Sequence, residues 1–380
     1  MAERSTGEEV RSGHAEWLDA VRGGAVLLVV LYHATIALSV VDLDPPRWLG
    51  VVVAGLTPLR VPVLMLLSGL LLPRSLRKPP RTYLWGKVRL IGWPWLVWTC
   101  VTALVLAAGS RVAGDGRFDL HNAVSGALDP RAHTWYLAHL LVFYAVALLL
   151  PERVRSLLVL PLLVTAGVVD DELWRRALVC AACFLLGDWL SRRRPGLLAP
   201  GRTATAVASA VLLVCVVAAA AGLDARYQPW SVVGVLAAVV AVGAAARRWA
   251  GTRVVSLSSA VGRQSIVYYT AHWSVVAVSA HVLAKAGVRE PTVAVAAMVA
   301  LGLAVPAVLV ALRHHAPVAL LFALPAAPSR AAAPERPVPP HAEPVLTAAA
   351  DGPALTRTEH RRPHVAGAVG RDSSDVRDAP

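Results

Sequence analysis

Charge is what this chain lacks most. Asp, Glu, Lys and Arg make up 16% of its 380 residues, where a soluble globular protein carries about 25%. Hydrophobic residues make up 56%, with mean hydropathy +0.58. Several apolar stretches reach the roughly 20 residues a helix needs to cross a bilayer. The composition describes an all-α, polytopic membrane protein. Acidic residues are scarcer than basic ones, 24 against 37, giving a net charge of +13. Such an excess can signal nucleic acid. Here the arginines sit in short loops between apolar runs, which is how membrane topology is written, so no nucleic-acid partner is expected. Cysteine is sparse as well. Cys100, Cys180, Cys183 and Cys215 all fall in apolar runs. The C-x-x-C of Cys180 and Cys183 has no second ligand pair nearby, so these are expected to be small buried residues, with no metal site. The first twenty residues carry Glu3, Glu8, Glu9, Glu16 and Asp19 and lack a basic n-region. They do not resemble a cleaved signal peptide, so the first helix is expected to stay as an anchor.

Ten membrane spans are expected, at about 21–41, 48–73, 93–109, 134–150, 157–169, 176–190, 205–223, 230–246, 265–284 and 293–312. The connections between them alternate in charge. One set holds Arg74, Arg77, Lys78, Arg81, Lys87 and Arg89, then Arg153 and Arg155, Arg192 to Arg194 with Arg202, and Arg247, Arg248, Arg253 and Arg263. The other holds Asp42 and Asp44, Asp115, Asp119 and Asp129, Asp170 to Glu172, Asp224 and Glu290. The positive-inside rule makes the first set cytoplasmic and puts both termini on that side, as an even span count requires. Trp48, Trp230 and Trp249 fall at the expected membrane edges, as an aromatic belt would. Residues 1–15 are expected as a disordered segment, 16–323 as the membrane-embedded domain, and 324–380 as a disordered Pro- and Ala-rich cytoplasmic tail.

Within this frame, ionisable groups in apolar runs are the functional candidates, because charge inside a bilayer is costly and rare. Arg22 and His33 are eleven residues apart, three turns plus about 20°, so both face one side of a helix, roughly 16 Å apart along its axis. Arg60, mid-way along the second run, arrives at a depth similar to that of His33, since consecutive spans run antiparallel. Ser265, Tyr268 and His272 form one stripe at spacings of three and four and suggest a shared cavity. His281, on the opposite face, is expected at the interface. His133-Thr-Trp-Tyr-Leu opens the fourth run, with His139 one turn after Trp135. On spacing alone, this aromatic group suits a membrane anchor, and its rings and polar tips would equally suit a sugar. The basic segment Arg74 to Arg89 serves topology, or captures a phosphorylated cofactor.

These segments together resemble the acyltransferase 3 family of integral membrane acyltransferases, across about residues 16–312. The matching pieces are Arg22-Gly-Gly…Leu31-Tyr-His33, Arg60-Val-Pro-Val-Leu-Met-Leu-Leu-Ser68-Gly69, His133-Thr-Trp-Tyr-Leu…Phe143-Tyr144 and Gly262-Arg-Gln-Ser-Ile-Val-Tyr-Tyr-Thr-Ala-His272, in that order. The His-x-Trp-Tyr-Leu form is similar to the branch that includes surface-polysaccharide O-acetyltransferases. The resemblance implies an acyl-CoA donor, acetyl-CoA first among them, with no bound cofactor, and a carbohydrate or glycosylated acceptor. The chain departs from the family in two places. Where the family often has R-x-x-R, Gly86 stands three before Arg89, with Lys87 the nearest substitute, and leucines and a methionine replace the phenylalanines ahead of Ser68-Gly69. Under this resemblance His33 is the expected general base, since a histidine away from water stays neutral and able to accept a proton. Arg60 would stabilise the oxyanion or orient the donor, and Arg22, Lys87 and Arg89 would hold the donor. Ser68, Ser265, Tyr268 and His272 would line the cavity, and His133, Trp135 and Tyr136 would face the acceptor. The competing class is a proton- or solute-coupled transporter. The sequence shows neither an internal repeat nor a matching pair of Gly- or Pro-broken helices to support it.

Overall fold

The computed structural model describes residues 2–113 and 132–325, with 122, 124–126 and 129 between them, and among these there is no strand. Helix α1 (Ala2–Ala37) continues through the first apolar run, so residues 2–15, expected as disordered, form the leading part of the same helix. The others used here are α2 (Arg47–Gly55), α3 (Val61–Leu70), α4 (Trp93–Ala113), α5 (Trp135–Leu149), α6 (Val159–Val168), α7 (Glu172–Arg193), α8 (Arg202–Ala220), α9 (Ser231–Arg248), α10 (Arg253–Arg263), α11 (Ser265–Lys285) and α12 (Pro291–Ala311). The tail from 326 onward, where disorder was expected, lies outside the described residues.

Each expected span falls on helix, yet not every helix is built to cross alone. Among the described residues six are long and apolar enough: Glu16–Ala37, Pro80–Gly109, Arg202–Ala220, Ser231–Arg248, Ser265–Lys285 and Pro291–His314. A seventh arises if Arg47–Gly55 and Thr57–Leu70, bent by 45°, are taken as one crossing. The remaining three fall short for different reasons. Helix α5 has 15 residues. Helix α6 has 10, which is about 15 Å of axis against a hydrocarbon core of about 30 Å. Helix α7 is long, but it carries Arg175, Arg176, Asp188, Arg192 and Arg193. The basic segment expected as a loop is itself helical. Pro80–Lys87 runs through the π-helical turn Val88–Gly92 into α4, so that span begins at Pro80 rather than 93.

Two helices organise the interior. All ten residues of α3 are buried, and α1 lies against α9, α10, α11 and α12. Close backbone approach sets both contacts. A Cβ added at Gly69 would stand 1.9 Å from the Phe184 carbonyl oxygen of α7, and one at Gly23 would stand 1.9 Å from that of Ser258 in α10. The hydroxyls of Ser258 and Ser259 then donate across to the carbonyls of Ala20 and Glu16, at 2.7 and 3.1 Å. Behind α3, Asp188 is fully buried and receives Arg155 at 2.9 Å and Arg192 at 2.6 Å. Glu152 completes the network through Arg192 and Arg193. Helix α8, by contrast, turns Leu213, Val214 and Val217 outward, as suits a helix surrounded by lipid. Gly69→Val is expected to force α3 off α7 and cost at least about 1–3 kcal/mol, read as a lower inactivation temperature and reduced yield of folded protein in detergent.

Candidate active site

Helices α1 and α11 bring two histidines from distant parts of the chain into direct contact. His33 Nδ1 lies 2.9 Å from His272 Nε2, and His272 Nδ1 lies 2.9 Å from the Tyr268 carbonyl oxygen one turn earlier. A carbonyl can only accept, so His272 carries its proton on Nδ1 and, as a neutral ring, offers Nε2 as an acceptor. His33 must then donate from Nδ1, which leaves its Nε2 with a free lone pair. With both rings neutral, no other proton arrangement makes both contacts hydrogen bonds. His272 is fully buried while His33 is half-buried against a cavity. The first is therefore suited to orient and the second to react. Trp273 meets the edge of His33 with ring centres 5.2 Å apart. His133 stands 6.2 Å from His272, ring centre to ring centre, and neither of its ring nitrogens meets the geometry of a hydrogen bond to a described residue.

The cavity that His33 faces has a volume of about 340 Å³. It is lined by Tyr32, His33, Arg60, His133 and Tyr269 together with Tyr227 and the exposed Asp171, Glu172 and Arg226 from the acidic connections. Arg60 enters because the second apolar run is not one straight helix. The chain turns through a 3-10 segment at Thr57–Leu59, Arg60 itself is the N-cap of α3, and its guanidinium lies 3.7 Å over the Tyr32 ring. In the same cavity lining Arg176 lies 4.1 Å over Trp135, which makes T-shaped contacts with Tyr227 and His139. Tyr227 has φ 55, a left-handed conformation that costs a non-glycine residue about 1–3 kcal/mol. Asp224 holds the loop in that shape. It accepts from the Arg226 backbone at 3.0 Å and the Gln228 amide at 2.6 Å, while its carbonyl accepts from the Trp230 indole at 3.1 Å. Loss of water around the ring pushes the pKa of the Tyr227 phenol up, so it presents an O–H rather than a phenolate.

A second cavity, of about 160 Å³, is lined by Arg22, Ser68, Tyr136, Tyr144, Ser265 and Tyr269 among others. Tyr269 lines both cavities. It stands at their boundary with Tyr136, ring centres 4.9 Å apart, and donates its hydroxyl to the His133 carbonyl. Ser68 and Tyr136 share a hydrogen bond of 3.4 Å. Arg22 is held by Asp19 at 3.3 Å. Lys87 reaches over the Tyr144 ring at 3.4 Å, beside this cavity.

Eight of the residues singled out in the sequence divide between two cavities, while His272, expected in the cavity lining, and Lys87 line neither. His33, Arg60, His133 and Trp135 line the first; Arg22, Ser68, Tyr136 and Ser265 line the second. Tyr136, expected on the acceptor side, is therefore among the residues around Arg22. Tyr268 contributes its carbonyl to His272, but its ring lines neither cavity, and its neighbour Tyr269 lines both. Arg89 lines neither; its carbonyl accepts from the Leu324 backbone at 3.4 Å. His281 is exposed, with Nδ1 2.9 Å from the Ala277 carbonyl. Tyr32, Arg176, Arg226 and Tyr227 were not foreseen. The first two had a signal available: Tyr32 precedes His33, and Arg176 lies inside an apolar run.

No curated protein and no solved structure matches this chain. A family model described as an acyltransferase domain matches residues 15–311, which takes in both cavities and every helix around them. The chain is a multi-pass membrane protein that belongs to the acyltransferase 3 family.

Proposed function

We propose that the protein transfers an acyl group, acetyl first among candidates, from acyl-CoA to a hydroxyl of a carbohydrate or glycosylated acceptor at the cell membrane. In this reading ten crossings leave both termini in the cytoplasm, and the end bearing Arg22 meets the cytoplasmic pool of acyl-CoA. The observation that carries it is the contact between His33 and His272, which leaves one imidazole nitrogen of His33, a residue that lines the first cavity, able to accept a proton. The acceptor enters from the side of Asp171 and Arg226. His33 Nε2 takes the hydroxyl proton as the oxygen attacks the thioester carbonyl. Arg60 adds positive charge to that cavity, where negative charge develops. The tetrahedral adduct collapses, the C–S bond breaks, and the imidazolium returns its proton to the departing thiolate. Arg22, with Lys87 beside the same cavity, holds the donor. The roughly 16 Å between Arg22 and His33 is of the order of an extended pantetheine arm.

The test compares intact masses of surface glycans and secreted metabolites from cells with and without the protein. Loss of one acetyl per modified sugar supports the reading, whereas movement of a substrate across the membrane without acyl-CoA would favour a transporter. Arg22→Ala tests the direction of the site. It is expected to raise the KM for acyl-CoA about 10-fold or more, the scale of one lost charge-assisted contact, with the acceptor KM unchanged. An unaltered donor KM in membranes that hold the variant at normal levels removes Arg22 from donor binding.

A further inference from the structure

The first cavity contains a charge that the fold leaves unanswered. Where this chain buries Arg155, it supplies counter-groups: Asp188 at 2.9 Å and the carbonyls of Ala147 and Leu150 at 3.1 and 2.8 Å. Arg60 is equally buried, at 8% exposure for each residue. Yet among the described residues no ion pair involves Arg60, and its Nη1 has no hydrogen-bond partner. Its guanidinium packs on the face of Tyr32, which fixes its plane without neutralising it. A buried cation kept in this way is costly unless something else completes it. The carboxylates in the cavity wall are already engaged. Glu172 pairs with Arg226 at 3.0 Å, and Asp171 caps α7 through the Trp174 backbone at 3.0 Å. Arg176 adds a second buried guanidinium to the same wall, over Trp135. Trp135 and Tyr227 line the same cavity and are aromatic groups of the kind that pack on sugar C–H groups.

We infer that the acceptor is an anionic glycan: a sugar bearing a carboxylate or a phosphate near the hydroxyl that is acylated, with that anion held by Arg60 and flanked by Arg176. The inference deepens the acyl-transfer reading and rests on it for the cavity's role as the acceptor side. A planar guanidinium fork matches a carboxylate or phosphate through two parallel bonds, and charge-assisted bonds of that kind are the strong ones. A neutral sugar of the same shape would leave Arg60 as it stands, so the site discriminates by charge as well as by fit.

The experiment uses the full-length chain in nanodiscs, where both ends are accessible. Binding is measured by thermophoresis for three probes: a glucuronic acid-containing tetrasaccharide, its carboxyl methyl ester, and a tetrasaccharide carrying a phosphomonoester. The acid or the phosphate form is expected to bind at least about 10-fold more tightly than the ester, and whichever anion binds more tightly names the group. Arg60→Gln is expected to erase the preference and Arg60→Lys to keep part of it. The comparison of acid with ester needs no variant, so a misfolded mutant does not decide the outcome. Equal binding of acid and ester overturns the inference, as does no binding of either anion. Displacement of the acid by coenzyme A also overturns it, since Arg60 would then hold the donor's phosphates. Acid preference without acyl transfer to any acceptor would strike the enzymatic reading alone. Acyl transfer to neutral and acidic glycans at equal kcat/KM would strike the anionic acceptor alone.

Discussion

His33→Gln is expected to lower kcat for acyl transfer by about 10²–10⁴-fold, the range that a positioned general base contributes, with the KM values for donor and acceptor little changed. The side chain sits in the cavity wall rather than in the packed interior, so the fold should tolerate the change. Glutamine keeps a polar group of similar reach, and its amide cannot take up a proton at neutral pH. The measurement is single-turnover acyl transfer in membranes matched for the amount of protein. Residual activity near wild type would remove His33 from proton transfer and shift attention to His133, the other histidine in that wall.

Loss of kcat at constant KM matters because it separates chemistry from capture. Arg22 and His33 look alike in the sequence, as two polar residues on one side of one helix. In the folded chain they line different cavities, with Tyr269 at the boundary between them. A defect at Arg22 should therefore appear in the donor KM and a defect at His33 in the rate of proton transfer. If both variants showed the same kinetic defect, the two cavities would not be working as separate donor and acceptor sides.

How much of this was legible in the sequence depends on the element. The all-helical membrane character followed from apolar runs and scarce charge. The two stripes, Arg22–His33 and Ser265–Tyr268–His272, suggested a shared cavity, whereas the direct contact between His33 and His272 came only from the structure. The choice between Tyr268 and Tyr269 did not, because every residue from Val267 to His272 is buried. A helix buried all round has no apolar face from which periodicity can select an inward direction. The bend that turns Arg60 into the cavity was hinted at by Pro58 and Pro62, but a proline marks a break without giving its angle. The rest of the cavity lining was hidden for another reason. Asp171, Glu172, Arg226 and Tyr227 belong to connections that charge alone marks as topology signals, and only the loop built around Asp224 shows that they enclose a space. Helix length and hydropathy alone mark six crossings among the described residues, or seven with the bent pair, rather than ten, because α5 and α6 are short and α7 carries charge that packing satisfies internally.

His272→Phe is expected to reduce kcat by about 10²-fold, or about 2.7 kcal/mol of barrier, although His272 is not placed to touch substrate. The phenyl ring preserves most of the bulk of a fully buried side chain and removes the nitrogen that accepts from His33 Nδ1. Without that acceptor, the His33 proton is free to move to Nε2, and in that tautomer Nε2 is a donor rather than a base. The ring also loses the contact that fixes its rotation. A merely structural role predicts equal damage from any substitution that unsettles α11. The tautomer argument predicts a ranking instead. His272→Gln, whose side-chain carbonyl can still accept, should retain more activity than His272→Phe even if it packs less well. Both variants should keep the wild-type KM for acyl-CoA, because Arg22 and the second cavity are untouched. If Phe and Gln prove equally impaired, or if the donor KM rises with kcat, His272 acts through packing and the proton arrangement drawn from the 2.9 Å contacts is wrong.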